Sequence, residues 1–134
     1  MQIVYGLEPD LSAESFRAVL QSSTLAERRP GDDLPRLERM LRQADLVVTA
    51  RHEGRLVGIS RAITDFAYCC YLSDLAVDVA YQRQGIGRRL ITETHHAAGV
   101  MTTLILIAAP AAETYYPKIG MQHLQSAWAI PRAK

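Results

Sequence analysis

The chain has 134 residues, enough for one hydrophobic core and too few for two, so it is expected to be a single domain over residues 1–134. Apolar residues make up 49% and the charges nearly cancel at +1, which excludes a disordered polyelectrolyte and a segregated basic surface for nucleic acid. No apolar run approaches the ~18 residues that span a bilayer, and residues 1–6 lack a signal peptide's basic flank, so a soluble cytoplasmic protein with no membrane or nucleic-acid partner is expected.

In chain order, residues 3–6 read as a short strand. Ser12 caps a helix whose Ala13, Phe16, Val19 and Leu20 fall on one face. A polar loop, 22–32, leads to a second helix started by Asp32 or Asp33, with Pro35 tolerated in its first turn and Leu34, Leu37, Met40 and Leu41 as its buried stripe. Residues 46–52 and 55–64 are rich in β-branched residues and joined by Glu53-Gly54 at two-residue hairpin spacing. Asp65-Phe66 turns into a strand over 67–77. Cys69 and Cys70 point to opposite faces of that strand and read as reduced packing residues. A helix ending at Gly99, a strand over 103–107, a helix capped by Gly120 and a terminal strand near 126–130 complete the order β-α-α-β-β-β-α-β-α-β. The fold class is α/β, a mixed sheet with helices on both faces.

The most informative segment joins the strand end Leu75-Ala76-Val77 to the helix opening at Ile86, through Gln82-Arg83-Gln84-Gly85-Ile86-Gly87-Arg88. The first N–H groups of such a helix lack internal acceptors and carry partial positive charge, which makes an anion site. Gly85 and Gly87 let a phosphate approach the backbone closely. A P-loop is excluded, because four residues between glycines followed by Gly-Lys-Ser/Thr are missing. The dinucleotide fingerprint is excluded too, since Leu90 stands where its third glycine belongs.

What remains, Gln-x-x-Gly-x-Gly from Gln82 to Gly87 between Leu-x-Val and Arg88, resembles the acetyl-CoA motif of the GNAT family of N-acetyltransferases, Gln/Arg-x-x-Gly-x-Gly/Ala. A second segment, Ala111-Ala112-Glu113-Thr114-Tyr115-Tyr116-Pro117-Lys118-Ile119-Gly120-Met121, is similar to the family's late helix, roughly Ala-x-x-Phe-Tyr-x-Lys-x-Gly-Phe. Tyr115 and Met121 replace phenylalanines, and Ala109 stands where many members carry an asparagine near the cofactor. The resemblance implies the GNAT fold around a mixed, mostly antiparallel twisted sheet. It also implies acetyl-CoA as co-substrate, held by Leu75, Ala76, Val77 and the residues from Gln82 through Arg88, and a homodimer as one assembly.

The reaction implied by the resemblance is direct attack of an amine on the thioester. A backbone N–H at 75–77, on a strand splayed by a bulge, steadies the oxyanion. Tyr116 falls on the family's tyrosine beside the sulfur and is the implied proton donor. A phenol near ~10 giving its proton to a thiol near ~8.5 is uphill by about 2 kcal/mol, so Tyr116 assists without deciding the rate. A lysine-like amine is only about one part in 2,500 neutral at pH 7, against roughly a tenth for an α-amino group, so only the former needs strong base assistance.

No base is selected by spacing. Asp65, Asp74 and Asp78 read as turn formers or solvated strand-end charges, and His95-His96 as a helix C-terminal pair with no metal role. Arg83 and Arg88 are assigned to ligand phosphates, Arg89 to the surface, and Tyr68, Tyr71 and Trp128 to core or pocket wall. The run Arg28 to Asp33 lies where related enzymes shape the acceptor pocket. Two functions fit: an N-acetyltransferase for a small or peptide amine, and a non-catalytic acyl-CoA-binding regulatory module.

Overall fold

A computed structural model describes residues 1–133. Strand β1 (Ile3–Leu7) is followed by α1 (Ala13–Ser22), a 3-10 turn (Leu25–Arg28) and α2 (Leu34–Gln43). Then come β2 (Leu46–His52), β3 (Arg55–Thr64), β4 (Cys69–Val77), a 3-10 turn (Val79–Tyr81), α3 (Ile86–Ala98) and β5 (Thr103–Ile105). A last 3-10 turn (Pro110–Ala112) precedes the single-turn helix α4 (Tyr115–Lys118). The sheet runs β1-β2-β3-β4-β5, antiparallel except for the parallel β4–β5 pair that α3 connects.

Local chemistry sets the boundaries. Ser12 accepts the Ser15 amide at 3.1 Å and starts α1, and Asp33 accepts the Arg36 amide at 3.1 Å and starts α2, with Pro35 in the first turn. Glu53 and Gly54 both take positive φ, 51° and 81°, as a two-residue hairpin turn with the strands' twist requires. The central strands are buried on both faces, since α1 and α2 pack on one and α3 on the other. Phe16, Leu20, Leu37 and Leu41 meet Val47, Ile59 and Ala76, whereas Ile86 and Leu90 meet Val48, Ala50 and Val57. Gly58 permits the α3 approach: an added Cβ would lie 3.1 Å from Leu90.

Four expectations need correction. The strand set at 67–77 begins at Cys69, because the Asp65 carboxylate accepts the amides of Ala67, Tyr68 and Cys69 and holds them in a turn. The strand set at 103–107 stops at Ile105, where β4 bends away. The helix before Gly120 is one turn long, since Pro117 supplies no N–H. No strand forms at 126–130 among the described residues; the tail has no neighbour to take its backbone groups, and Trp128 and Ile130 are 94% and 99% exposed. Trp128 and Tyr68 are therefore surface residues rather than core or pocket wall, while Tyr71 does line a cleft.

Candidate active site

The site begins with a break in β4. Opposite β3, Arg61 pairs with Asp74 but Ala62 pairs with Leu72, so Ser73 is an extra residue and β4 bulges there. On its other side β4 pairs with β5 only through Cys69, Cys70 and Tyr71. From Leu72 onward that edge is open. The Asp78 amide donates to the Val57 carbonyl at 2.8 Å, and backbone groups alternate sides along a strand, so the N–H groups of Leu75 and Val77 face the open side.

A cleft of about 1050 Å³ follows this edge. Leu75, Ala76 and Val77 line it, with Thr24, Arg28 and Pro30 on one side and Leu106, Ala109 and Tyr116 on the other. Tyr116 packs edge-on against Tyr115, ring centroids 5.2 Å apart. Burial, reinforced by the neighbouring Tyr115, raises the Tyr116 pKa above the ordinary phenol value, so the hydroxyl stays protonated.

At the end of β4, Asp78 accepts the Ala80 amide at 2.9 Å and the Arg55 guanidinium at 3.1 Å, fixing the 3-10 turn. Gln82 folds back and donates from Nε2 to the Val77 carbonyl at 3.0 Å, so this side chain clips the turn to the strand. Arg83 has φ 64°, a left-handed conformation costing a non-glycine residue about 1 kcal/mol. Gly85, at φ 82°, is the N-cap of α3 and offers no side-chain acceptor to the amides of the first turn. Arg83, Gln84 and Arg88 are exposed around this turn, whereas the Ile86 side chain is core and only its backbone faces outward.

Tyr115 occupies the space in front of these amides. Its hydroxyl lies where a Cβ added to Gly87 would come within 3.2 Å. Burial raises its pKa, opposed by the Arg88 amide and guanidinium. Arg89 is a surface residue as expected, 3.6 Å from Glu93 and 4.8 Å over the Tyr5 ring. His95 closes the C-terminus of α3 through the Thr102 carbonyl at 2.8 Å.

Sequence reasoning missed one cluster. Asp74 is not a solvated charge: it is fully buried, with Oδ1 taken by Arg29 and Oδ2 by Arg61. Arg29 also donates to the Ser73 carbonyl at 2.7 Å, and Arg61 to the Ser73 hydroxyl at 3.1 Å. The strand's alternation held the signal, since Leu72, Asp74 and Ala76 share the buried face. Both carboxylate oxygens are engaged, so neither faces the cleft as a proton acceptor.

The Acetyltransferase (GNAT) domain model matches residues 12–127. Among solved structures, a GNAT-family acetyltransferase from Streptococcus pneumoniae is 20% identical at a TM-score of 0.75, covering 99% of this chain and 98% of its own. A ribosomal-protein-alanine N-acetyltransferase from Brucella melitensis is 20% identical at 0.72, covering 98% and 100%. An aminoglycoside N-acetyltransferase in complex with CoA is 16% identical at 0.75, covering 99% and 96%. No curated protein sequence matches. The chain belongs to the GNAT acetyltransferase family.

Proposed function

We propose that this acetyltransferase moves an acetyl group from acetyl-CoA to a primary amine by direct attack on the thioester. The observation that carries this reading is the open edge of β4, followed through the Val79–Tyr81 turn by an α3 N-terminus with no side-chain cap, with Tyr116 lining the same cleft as Leu75 and Val77. Those parts fit an elongated thioester bearing a diphosphate at one end.

Bound there, acetyl-CoA supplies the activated acetyl group. The backbone amides of Gly87 and Arg88 receive the diphosphate, with Arg83 and Arg88 as flanking charges. The N–H groups of Leu75 and Val77 point where negative charge develops on the carbonyl oxygen, and such fixed donors act most strongly in a dry cleft. Tyr116 then gives its proton to the departing sulfur. Its raised pKa makes this transfer more uphill than the ~2 kcal/mol of an ordinary phenol, which keeps its share of the rate modest.

Thermal shift with CoA, acetyl-CoA and ATP tests the cofactor. Only the first two are expected to stabilise the protein. Steady thiol release from acetyl-CoA across an amine panel then separates a transferase from a non-catalytic binder; a normal CoA shift with no release from any amine identifies the binder.

A further inference from the structure

The cleft has a charge far from that of the chain. Guanidiniums of Arg28, Arg29, Arg36, Arg61 and Arg132 line it against one carboxylate, Glu27. Asp74, buried behind the wall, neutralises one more, which leaves three positive charges here against one for the whole sequence. The rest of the molecule is therefore slightly acidic. Among the described residues, Arg28, Arg36 and Arg132 pair with no carboxylate. Of the acids near Arg36 in sequence, Glu38 pairs with Arg42 at 2.9 Å and Asp33 is spent on the Arg36 backbone amide, and neither they nor Asp32 line the cleft.

These charges are separate from the diphosphate turn. Arg29, beside Arg28, is fixed to the Ser73 carbonyl, whereas the turn starts beyond Val77, four residues farther along β4. At ~3.3 Å per residue the two are about 13 Å apart. On the transferase reading the thioester lies between them, which puts Arg29 and its neighbour Arg28 on the side of the incoming amine.

Resting on the transferase reading, we propose that the acceptor is a small primary amine that carries a carboxylate, an amino-acid-like molecule, and that Arg28 and Arg36 hold that carboxylate. Planar guanidiniums match a carboxylate bidentately and repel a polycation. The same field lowers the pKa of a bound ammonium, because nearby positive charge favours loss of its proton. That supplies the neutral amine in a cleft whose one lining carboxylate is the exposed Glu27 and where Asp74 is fully engaged.

The test is thiol release from acetyl-CoA by the full chain with the common amino acids, each beside its methyl ester, and with spermidine as the cationic control. At least one amino acid is expected to exceed its ester by tenfold or more in kcat/KM, although the ester's amine is less basic, and added salt narrows the gap. The double variant Arg28→Gln, Arg36→Gln is expected to lower kcat/KM for that amino acid by roughly ten- to a hundredfold, to leave the ester within about threefold, and to keep the CoA thermal shift. Esters or spermidine turning over as well as the amino acids would overturn the inference and leave the transferase reading standing. A CoA shift without release from any amine removes the transferase reading, and the inference with it.

Discussion

Arg29, in the loop after α1, reaches Asp74 at the bulge of β4 and donates to the Ser73 carbonyl at 2.7 Å in the same stroke. The loop wall of the cleft is thus bolted to the strand whose unpaired edge lines it. Arg61 completes the clamp from β3.

Removing the carboxylate leaves two guanidiniums facing a neutral group in the interior. Asp74→Asn is expected to cost about 3 kcal/mol, because breaking one side of a buried ion cluster is far worse than replacing it whole. Urea unfolding measures this. The surviving folded enzyme is expected to show a higher KM for amine and an unchanged affinity for CoA; a loss under 1 kcal/mol would mean the clamp is incidental.

Tyr116→Phe is expected to lower kcat by roughly ten- to a few hundred-fold, the usual scale for one general acid, and to spare CoA binding. Since burial raises the Tyr116 pKa, the acid form persists to higher pH than that of an ordinary phenol. Any alkaline fall of the wild-type kcat from this group should therefore lie above the ordinary phenol range, which a pH–rate profile in steady state checks.

The proposed diphosphate position puts a ligand phosphate where the Tyr115 hydroxyl stands, beside Gly87 and the Arg88 amide. Tyr115→Phe removes the competing oxygen and is expected to tighten CoA binding up to about tenfold, the worth of one hydrogen bond. Gly87→Ala acts oppositely: its methyl group meets the Tyr115 hydroxyl at 3.2 Å and stands in the phosphate's path, so affinity falls. Calorimetric titration with CoA reads both, and equal affinities in all three proteins would count against the turn as the anion site.

Glu8 and Arg51 form a two-pronged pair, both contacts 2.8 Å. The Arg51 hydrogen bonds hold the Glu8 carboxyl below its ordinary value. A lowered folded pKa gives stability that is present above the unfolded value of about 4.5 and lost as pH falls through the folded one. Both side chains are about a third exposed, so Glu8→Gln is expected to cost about 0.5–1 kcal/mol at neutral pH. Melting curves of the two proteins should converge in acid, as pH falls through the lowered folded value of Glu8.

Much of this was legible from local pattern. Ser12, Asp33 and the Glu53-Gly54 pair are short-range signals, and each marks its cap or turn. The turn from Gln82 to Gly87 stood out because glycine and helix onset act within a few residues. Contacts between distant segments were not legible. Arg29 and Asp74 are 45 residues apart and nothing local links them. The failed strand at 126–130 has the same origin, since Trp128 and Ile130 have strand-like composition but strand formation needs a neighbour that composition does not announce.

The Gln82 amide, clipped to the Val77 carbonyl, makes one rigid piece of the strand end and the helix onset. In the proposed mode of binding, the interval between the acyl carbonyl and the diphosphate is thereby set by covalent and hydrogen-bonded geometry and not by the donor. On that reading the protein would gauge its thioester by length, and a truncated donor such as acetyl-pantetheine would reach one end of the ruler and leave the other bare.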